Sequence, residues 1–171
     1  EIGAAKISRG RVIDTFQAFI KTDQTIPKNI EELTSITNEM IVSQGRNVGD
    51  VMEDFDVFAG DSMLAAHNAF FDWNMLEQCY TRANKKMPKR PLLDTLKISR
   101  KVNEEMKRHS LGQLAKSKKY KVDLKNAHRA DDDAKATAEI LNHMMSQLKD
   151  EEITTTSMLE NYKNHLNYSI E

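Results

Sequence analysis

The 171-residue chain has a single cysteine, Cys79, and no long apolar run. One thiol cannot form an internal disulfide, and there is no cluster of cysteines that could bind zinc. No segment approaches the roughly 18 consecutive apolar residues that a membrane-spanning helix needs, and no cationic start followed by an apolar stretch indicates a signal peptide. These absences exclude disulfide-rich scaffolds and membrane-spanning helices, and they favour a reducing, cytoplasmic setting.

Basic residues are concentrated in the middle of the chain, which the net charge of −1 conceals. Residues 82–129 contain 16 Lys and Arg but only 4 Asp and Glu, whereas the other residues contain 9 Lys and Arg and 22 Asp and Glu. A basic region on an acidic background can attract a polyanion such as nucleic acid. A solvated, lysine-rich face explains the same pattern, and charge alone does not decide between the two.

The order of apolar and turn residues predicts an α/β fold. Hydrophobic residues make up 39% of the chain, which suffices for the core of one domain. The expected strands are two within residues 1–20, joined by a turn at Arg9-Gly10, and short buried ones at 63–66 and 92–93. The expected helices are at 48–59, 72–83 and 131–149, with others beginning near 95 and 110. This alternation predicts a sheet with helices on both faces, in one domain over residues 1–149 followed by a linker or C-terminal tail at 150–171.

The segment His67-Asn68-Ala69-Phe70-Phe71-Asp72 follows a predicted buried strand and opens a helix. In open α/β sheets, ligands bind at the carboxyl ends of strands, where this segment is expected to lie. Asp72 precedes Met75 and Leu76 by three and four residues, so it should point toward the apolar stripe of its helix. An inward carboxylate is costly unless it meets a cation, and a metal ion would be such a partner. The alternative is that Asp72 caps the helix.

The segment His128-Arg129-Ala130-Asp131-Asp132-Asp133 precedes the longest predicted helix. Asp133 shares a helical face with Ile140 and Met144, which turns this carboxylate inward, whereas Asp131 and Asp132 are expected to be solvated. His128 lies five residues before Asp133, close enough for both to border one cleft. The alternative is a set of aspartates that favour the positive end of the helix dipole, beside a surface histidine.

The two segments together are more specific than either one. Two inward carboxylates from separate strand–helix junctions suit hard divalent ions such as Mg²⁺ or Mn²⁺. Two such ions about 4 Å apart can stabilise the attacking and leaving oxygens of a phosphodiester. A histidine with a near-neutral pKa can accept the proton of the attacking water.

Both segments resemble motifs of the DEDDh 3′→5′ exonucleases. Residues 67–72 resemble the second exonuclease motif of that family, and residues 128–134 resemble its third motif, His-x₄-Asp. Further segments are similar in the same order: Glu1-Ile2-Gly3-Ala4, Glu32-Leu33-Thr34-Ser35-Ile36-Thr37 and Leu93-Asp94-Thr95-Leu96. The resemblance covers residue 1 to about residue 148. Within the family, the sequence most resembles two exonucleases of bacterial DNA polymerase III, the exonuclease domain of the PolC type and the epsilon proofreading subunit.

The resemblance implies a ribonuclease-H-like mixed sheet flanked by helices, with two Mg²⁺ or Mn²⁺ ions at the strand ends. It implies the release of nucleoside 5′-monophosphates from the 3′ end of single-stranded DNA, in partnership with a DNA polymerase III catalytic region or subunits. Asp72 and Asp133 would then bind the metal ions, and His128 would be the general base. The residues implied to line the site near the terminal nucleotide are His67, Asn68 and Phe71.

The family's first motif, Asp-x-Glu on the central strand of the sheet, has no counterpart in this sequence. The segment Asp50-Val51-Met52-Glu53 has the wrong spacing and lies in a predicted helix, and Glu1 matches a later strand. We expect an N-terminally incomplete domain rather than a degenerate one, because a core without its central strand leaves backbone groups and apolar faces unpaired. A catalytically inactive module that binds nucleic acid or a polymerase is the alternative. The sequence also leaves open an exonuclease that acts on RNA.

Overall fold

The computed structural model describes residues 1–124 and 128–150, without the side chains of the last two. The strands are β1 (Ile2–Ser8), β2 (Arg11–Ala18), β3 (Leu64–Ala66) and β4 (Leu92–Asp94). The helices are α1 (Lys28–Thr34), α2 (Asn38–Gln44), α3 (Val48–Ala59), α4 (Ala69–Arg82), α5 (Thr95–Val102), α6 (Leu111–Lys116) and α7 (Ala130–Asp150). This element order confirms the α/β class. The linker or tail predicted at 150–171 lies, beyond its first residue, outside the described residues.

The first two strands form an antiparallel hairpin with Ser8 opposite Arg11. Arg9 and Gly10 both have positive φ, 51° and 74°, as the two central residues of a type I′ hairpin turn require. The predicted turn is therefore confirmed. The hairpin places the start of β1 beside the end of β2, where Ile2 pairs with Ala18.

The third and fourth strands form a parallel pair, with Leu64 opposite Leu92 and Ala66 opposite Asp94. Their carboxyl ends consequently meet at one edge. Within the described residues the two pairs are separate sheets rather than one continuous sheet. Antiparallel and parallel strand pairing, the two kinds that a mixed sheet combines, are both present.

Helix α4 begins three residues earlier than predicted, because Asn68 has a positive φ of 73° and turns the chain from β3 directly into the helix. The predicted apolar stripe of this helix is only partly buried. Met75 is 44% exposed, which corrects its assignment to the core. Leu76 and Cys79 instead join the fully buried Tyr80 in packing against α3 and the hairpin.

The longest helix, α7, supplies much of the second core cluster. Its buried face carries Ile140, Met144 and Leu148, which pack with residues of α5 and α6. This face includes two of the residues predicted to share a side with Asp133. No helix in the described parts of the chain combines the length and apolar character needed to cross a bilayer.

Candidate active site

Asp94, the last residue of β4, connects the start of α5 with the turn between β3 and α4. Its side chain is 5% exposed and accepts a hydrogen bond from the backbone N of Leu96, at 2.9 Å, as the N-cap of α5. The same oxygen accepts from the backbone N of Asn68 at 3.2 Å. The helix expected to begin near residue 95 therefore begins at Thr95, with Asp94 as its cap.

Asp72 lies in the first turn of α4 and not at its cap, which is Asn68. The interpretation of Asp72 as a cap is therefore wrong. Although the residue as a whole is exposed, protein atoms around its carboxyl group desolvate it and raise its pKa, and the negative charges of Asp94 and Asp133 add to the rise. Asp72 and Asp133 thus lie within electrostatic range of each other.

Asp133 lies in the first turn of α7, where its carboxylate accepts a long hydrogen bond, 3.4 Å, from the backbone N of His128. Partial burial raises the pKa of Asp133, and the charges of Asp132 and Glu1 act in the same direction. His128 is exposed and has a positive φ of 74°. Two of the three residues predicted for metal binding and catalysis are therefore in direct contact, through the backbone of His128.

The other two aspartates of this turn differ from expectation. Asp131 and Asp132 both accept hydrogen bonds from Lys135, at 2.9 and 3.3 Å, and both are partly buried. A lysine three and four residues further along a helix lies on the same face and can reach both carboxylates. These two side chains are thus neutralised locally by Lys135, whereas Asp133 accepts from the backbone N of His128.

Gly3 allows the start of α7 to lie directly on strand β1. A Cβ atom added at Gly3 would lie 2.1 Å from the carbonyl carbon of Ala130 and 2.2 Å from the backbone N of Asp131. Both distances are far below any real contact, and both neighbours are backbone atoms. Only glycine permits the backbone of α7 to approach β1 this closely, and this approach determines where the first turn of α7, which contains Asp133, lies relative to β1.

Glu1 also stabilises the contact between β1 and the start of α7. Its side chain is 3% exposed and accepts hydrogen bonds from Arg129 Nη2, at 2.8 Å, from the backbone N of Ala130, at 2.8 Å, and from Gln17 Nε2, at 2.7 Å. Burial alone would raise the pKa of Glu1, but these hydrogen bonds outweigh it and hold the pKa below its ordinary value. An anion at a helix N-terminus is also stabilised by the helix dipole.

His67 follows β3, and both of its ring nitrogens are engaged within the protein. Nε2 lies 2.7 Å from the backbone carbonyl of His109, and Nδ1 lies 3.0 Å from the hydroxyl of Thr95. A carbonyl only accepts, so Nε2 carries a proton and Nδ1 of the neutral ring accepts from Thr95. Burial lowers the pKa of His67, which favours that neutral form.

The other two residues predicted to line the substrate site have free surface. Asn68 is exposed at the turn into α4, and Phe71 is 61% exposed on the first turn of that helix. The structure therefore leaves both side chains accessible beside Asp72. Sequence reasoning missed Glu1 as part of this region, and its only signal was its place at the head of a segment resembling a family strand.

No group of three or more His, Cys, Asp or Glu residues within the described ranges has an arrangement that could by itself hold a metal ion. The available donors are the carboxylates of Asp72 and Asp133, and the negative charge of Asp133 adds to the rise in the pKa of Asp72. Carboxylate oxygens are the ligands that hard divalent ions prefer, and such an ion would remove the repulsion. The residues present therefore fit a magnesium or manganese ion, as one part of its coordination.

Comparison with known proteins identifies the family. A family model described as exonuclease (RNase_T) matches residues 1–141. A PolC-type DNA polymerase III of Clostridium perfringens is 39% identical over 151 residues, covering 88% of this chain and 10% of that protein. One from Oceanobacillus iheyensis is 33% identical over 162 residues, covering 95% of this chain and 11% of that protein. The chain thus spans about a tenth of the length of these curated relatives.

A solved structure supports the fold independently. The chain described as exonuclease X in complex with 5′ overhanging duplex DNA matches with a TM-score of 0.70 and 21% identity, covering 92% of this chain and 86% of that one. The ribonuclease-H-like class expected from the motifs is thereby confirmed. With a family model matched over most of its length, the chain belongs to the exonuclease family.

Proposed function

We propose that this chain is the exonuclease domain of a PolC-type DNA polymerase III and that it removes nucleoside 5′-monophosphates from the 3′ end of single-stranded DNA. The observation that supports the proposal is that the negative charge of Asp133, in the first turn of α7, raises the pKa of Asp72, in the first turn of α4. The PolC-type relatives support the polymerase context and a cytoplasmic location. In this proposal residues 1–149 form the domain, and residues 150–171 lead away from it.

Asp72 and Asp133 are the proposed ligands of two Mg²⁺ or Mn²⁺ ions. When bound, such ions supply charge stabilisation of the attacking and leaving oxygens of a phosphodiester. Asp133 is held for this task by the packing of α7 on Gly3 and by the backbone N of His128. Asp94 is a cap that fixes the turn before α4 and so the direction of Asp72.

His128 is the proposed general base. Its backbone is bound to Asp133, and within the described residues its ring makes no hydrogen bond, so a ring nitrogen is available to a water molecule. Proton transfer to a positioned histidine contributes about 100-fold to 10,000-fold in rate. Asn68 and Phe71 offer an amide and an aromatic face to the terminal nucleotide, and aromatic side chains stack on bases.

The test is hydrolysis of 3′-labelled single-stranded DNA with Mn²⁺ by the full-length natural protein. Asp133→Asn and His128→Ala should each slow the reaction about 100-fold or more. Asp61→Asn is the matched control, because Asp61 is exposed in the turn after α3 and precedes β3, so it is not at the carboxyl ends of β3 and β4. Equal rates for Asp133→Asn and Asp61→Asn would refute the assignment. Matched DNA and RNA oligonucleotides in the same assay decide the sugar preference.

A non-catalytic module that binds nucleic acid is the second candidate. It is favoured by the lack of a three-residue metal-binding group within the described ranges. Calorimetric titration with Mn²⁺ separates the two candidates. The nuclease should take up two ions, and Asp72→Asn should remove that uptake, whereas the binding module should show neither.

A further inference from the structure

The loop between α5 and α6 is held in place by a directed chain of hydrogen bonds. His109, in this loop, is bound on three sides: its carbonyl accepts from His67, its Nε2 lies 3.0 Å from the carbonyl of Met106, and its Nδ1 lies 2.9 Å from the hydroxyl of Ser99. The carbonyl of Met106 fixes the proton of His109 on Nε2, so Nδ1 accepts from Ser99. The loop is thus clamped between His67 and α5.

The chain of hydrogen bonds continues into the core. Asn103, fully buried, donates its amide to the hydroxyl of Ser99 at 3.2 Å. The carbonyl of that amide accepts from Tyr120 at 2.9 Å and from Lys119 at 2.6 Å. Each of these hydrogen bonds joins a donor to an acceptor without conflict, and buried networks of this kind hold one conformation. The loop position is therefore determined by the core and by His67 together.

Two cations in this loop make no side-chain contact with a partner in the part of the chain that the structure describes. Lys107 and Arg108 are exposed, and their side chains make no hydrogen bond or ion pair with residues 1–124 or 128–148. Some other cations of the basic middle region are engaged: Lys85 binds Glu53, and Arg90 lies 3.1 Å from Asp56. The basic groups that the sequence draws attention to are thus partly neutralised, while the pair at 107–108 is not.

The loop is anchored beside the proposed active site. His67 directly precedes Asn68, whose backbone N donates to Asp94 at the strand end. His67 also lies within electrostatic range of Asp94. A strand whose terminal phosphodiester reaches the carboxylates would pass its next phosphates along this rim, where cations compensate their charge. A lysine and an arginine on a loop with one fixed conformation suit such phosphates better than the same cations on a flexible loop. The fixed loop loses less conformational entropy on binding.

We propose that Lys107 and Arg108 form a subsite for the phosphate backbone of single-stranded nucleic acid, and that His67 is a positioning residue that holds this loop rather than a direct substrate contact. The proposal rests on the proposed function for the identity of the ligand. It changes the role that the family resemblance implied for His67, since both ring nitrogens of that residue are occupied within the protein.

The first test measures the binding of a 5′-fluorescein-labelled oligothymidylate to the 171-residue chain by anisotropy, with EDTA present and at increasing KCl. Lys107→Ala/Arg108→Ala should weaken binding about fivefold or more at low salt and reduce the salt slope by about 1.4, since each single-strand phosphate contact contributes about 0.7. Arg11→Ala/Lys28→Ala is the control with the same charge change at exposed positions on β2 and α1. Equal behaviour of the two double variants, or no binding by the parent chain, would overturn the proposal. Loop-dependent binding of an acidic peptide in place of the oligonucleotide would overturn it as well.

The second test asks whether His67 acts through the loop. His67→Ala should weaken binding of the oligonucleotide. In the His67→Ala background, Lys107→Ala/Arg108→Ala should then reduce the affinity by a much smaller factor than it does in the parent. His67→Gln should restore binding in large part, because its amide N can donate to the carbonyl of His109. If the loop-cation substitutions weaken binding by the same factor in the His67→Ala background as in the parent, or if His67→Gln does not restore binding, His67 has no part in the proposal.

These outcomes are separable from the proposed nuclease function. If Asp133→Asn retains full hydrolysis while loop-dependent binding is observed, the nuclease assignment of that residue fails and the subsite stands. If Asp133→Asn is inactive while the loop variant matches its control, the subsite fails and the nuclease assignment stands.

Discussion

Arg129 forms an ion pair with Glu1 across nearly the whole length of the chain. Arg129 Nη2 lies 2.8 Å from Glu1 Oε1, and the guanidinium also lies over the ring of Phe19, 5.6 Å from its centroid. The second oxygen of Glu1 accepts from the backbone N of Ala130, the first residue of α7. One buried carboxylate therefore fixes both the side chain and the backbone that follow His128.

Removing this carboxylate should destabilise the fold. Glu1→Ala leaves Arg129 and the backbone N of Ala130 without their acceptor, and unsatisfied buried groups cost about 1–3 kcal/mol. Urea unfolding should show a loss in that range. The control is Glu104→Ala, which removes an exposed pair with Lys101 at 3.5 Å and should cost less than about 0.5 kcal/mol. Similar losses in the two variants would show that the buried pair contributes no more than a surface pair.

The same carboxylate should give the stability a dependence on pH. The pKa of Glu1 in the folded chain is below its ordinary value of 4.5, so its contribution is complete above pH 4.5 and is lost as the pH falls through the lowered pKa. The difference in unfolding free energy between the parent and Glu1→Gln should therefore be largest at neutral pH and shrink in acid. Urea titrations at a series of pH values test this, and a difference that grows on acidification would contradict it.

Local elements of this fold are predictable from sequence, and its long-range contacts are not. The turn at Arg9-Gly10 and the start of α5 near residue 95 depend on neighbouring residues, so turn and helix-start rules find them. Helix α2 was not predicted, because seven residues give little periodicity, although Thr37 caps it by accepting from Met40. The pairing of Glu1 with Arg129 depends on how α7 meets β1, which no local pattern determines.

The candidate site shows the same division. The motif pattern predicted that Asp72 and Asp133 converge, and the structure places them within electrostatic range. The pattern did not reveal that both ring nitrogens of His67 are used internally, since His109 is 42 residues away in sequence. Partners of this kind become visible only when the loop containing His109 is placed beside the strand end.

Gly3 should tolerate no side chain. Gly3→Ala places a Cβ atom against backbone atoms of Ala130 and Asp131, so α7 must shift, at a cost of about 3 kcal/mol or more. Gly112→Ala is the control, because a Cβ atom there meets nothing within 4 Å and alanine favours the helix by about 1 kcal/mol. In thermal unfolding, Gly3→Ala should have a lower melting temperature than the parent, and Gly112→Ala a higher one. If Gly3→Ala is as stable as the parent, the close approach of α7 to β1 is wrong.

Asp72 should be stabilising only when a divalent ion is bound. Its pKa in the folded chain is raised above the ordinary 3.8, so the ionised carboxylate opposes folding at neutral pH, and this penalty is relieved as the pH falls through the raised pKa. In EDTA at neutral pH, Asp72→Asn should therefore unfold at a higher temperature than the parent. Mn²⁺ at about 100 times its dissociation constant should stabilise the parent by about 2.7 kcal/mol and the variant much less. Asp61→Asn should respond to Mn²⁺ like the parent, and an equal response of Asp72→Asn would remove Asp72 from the metal ligands.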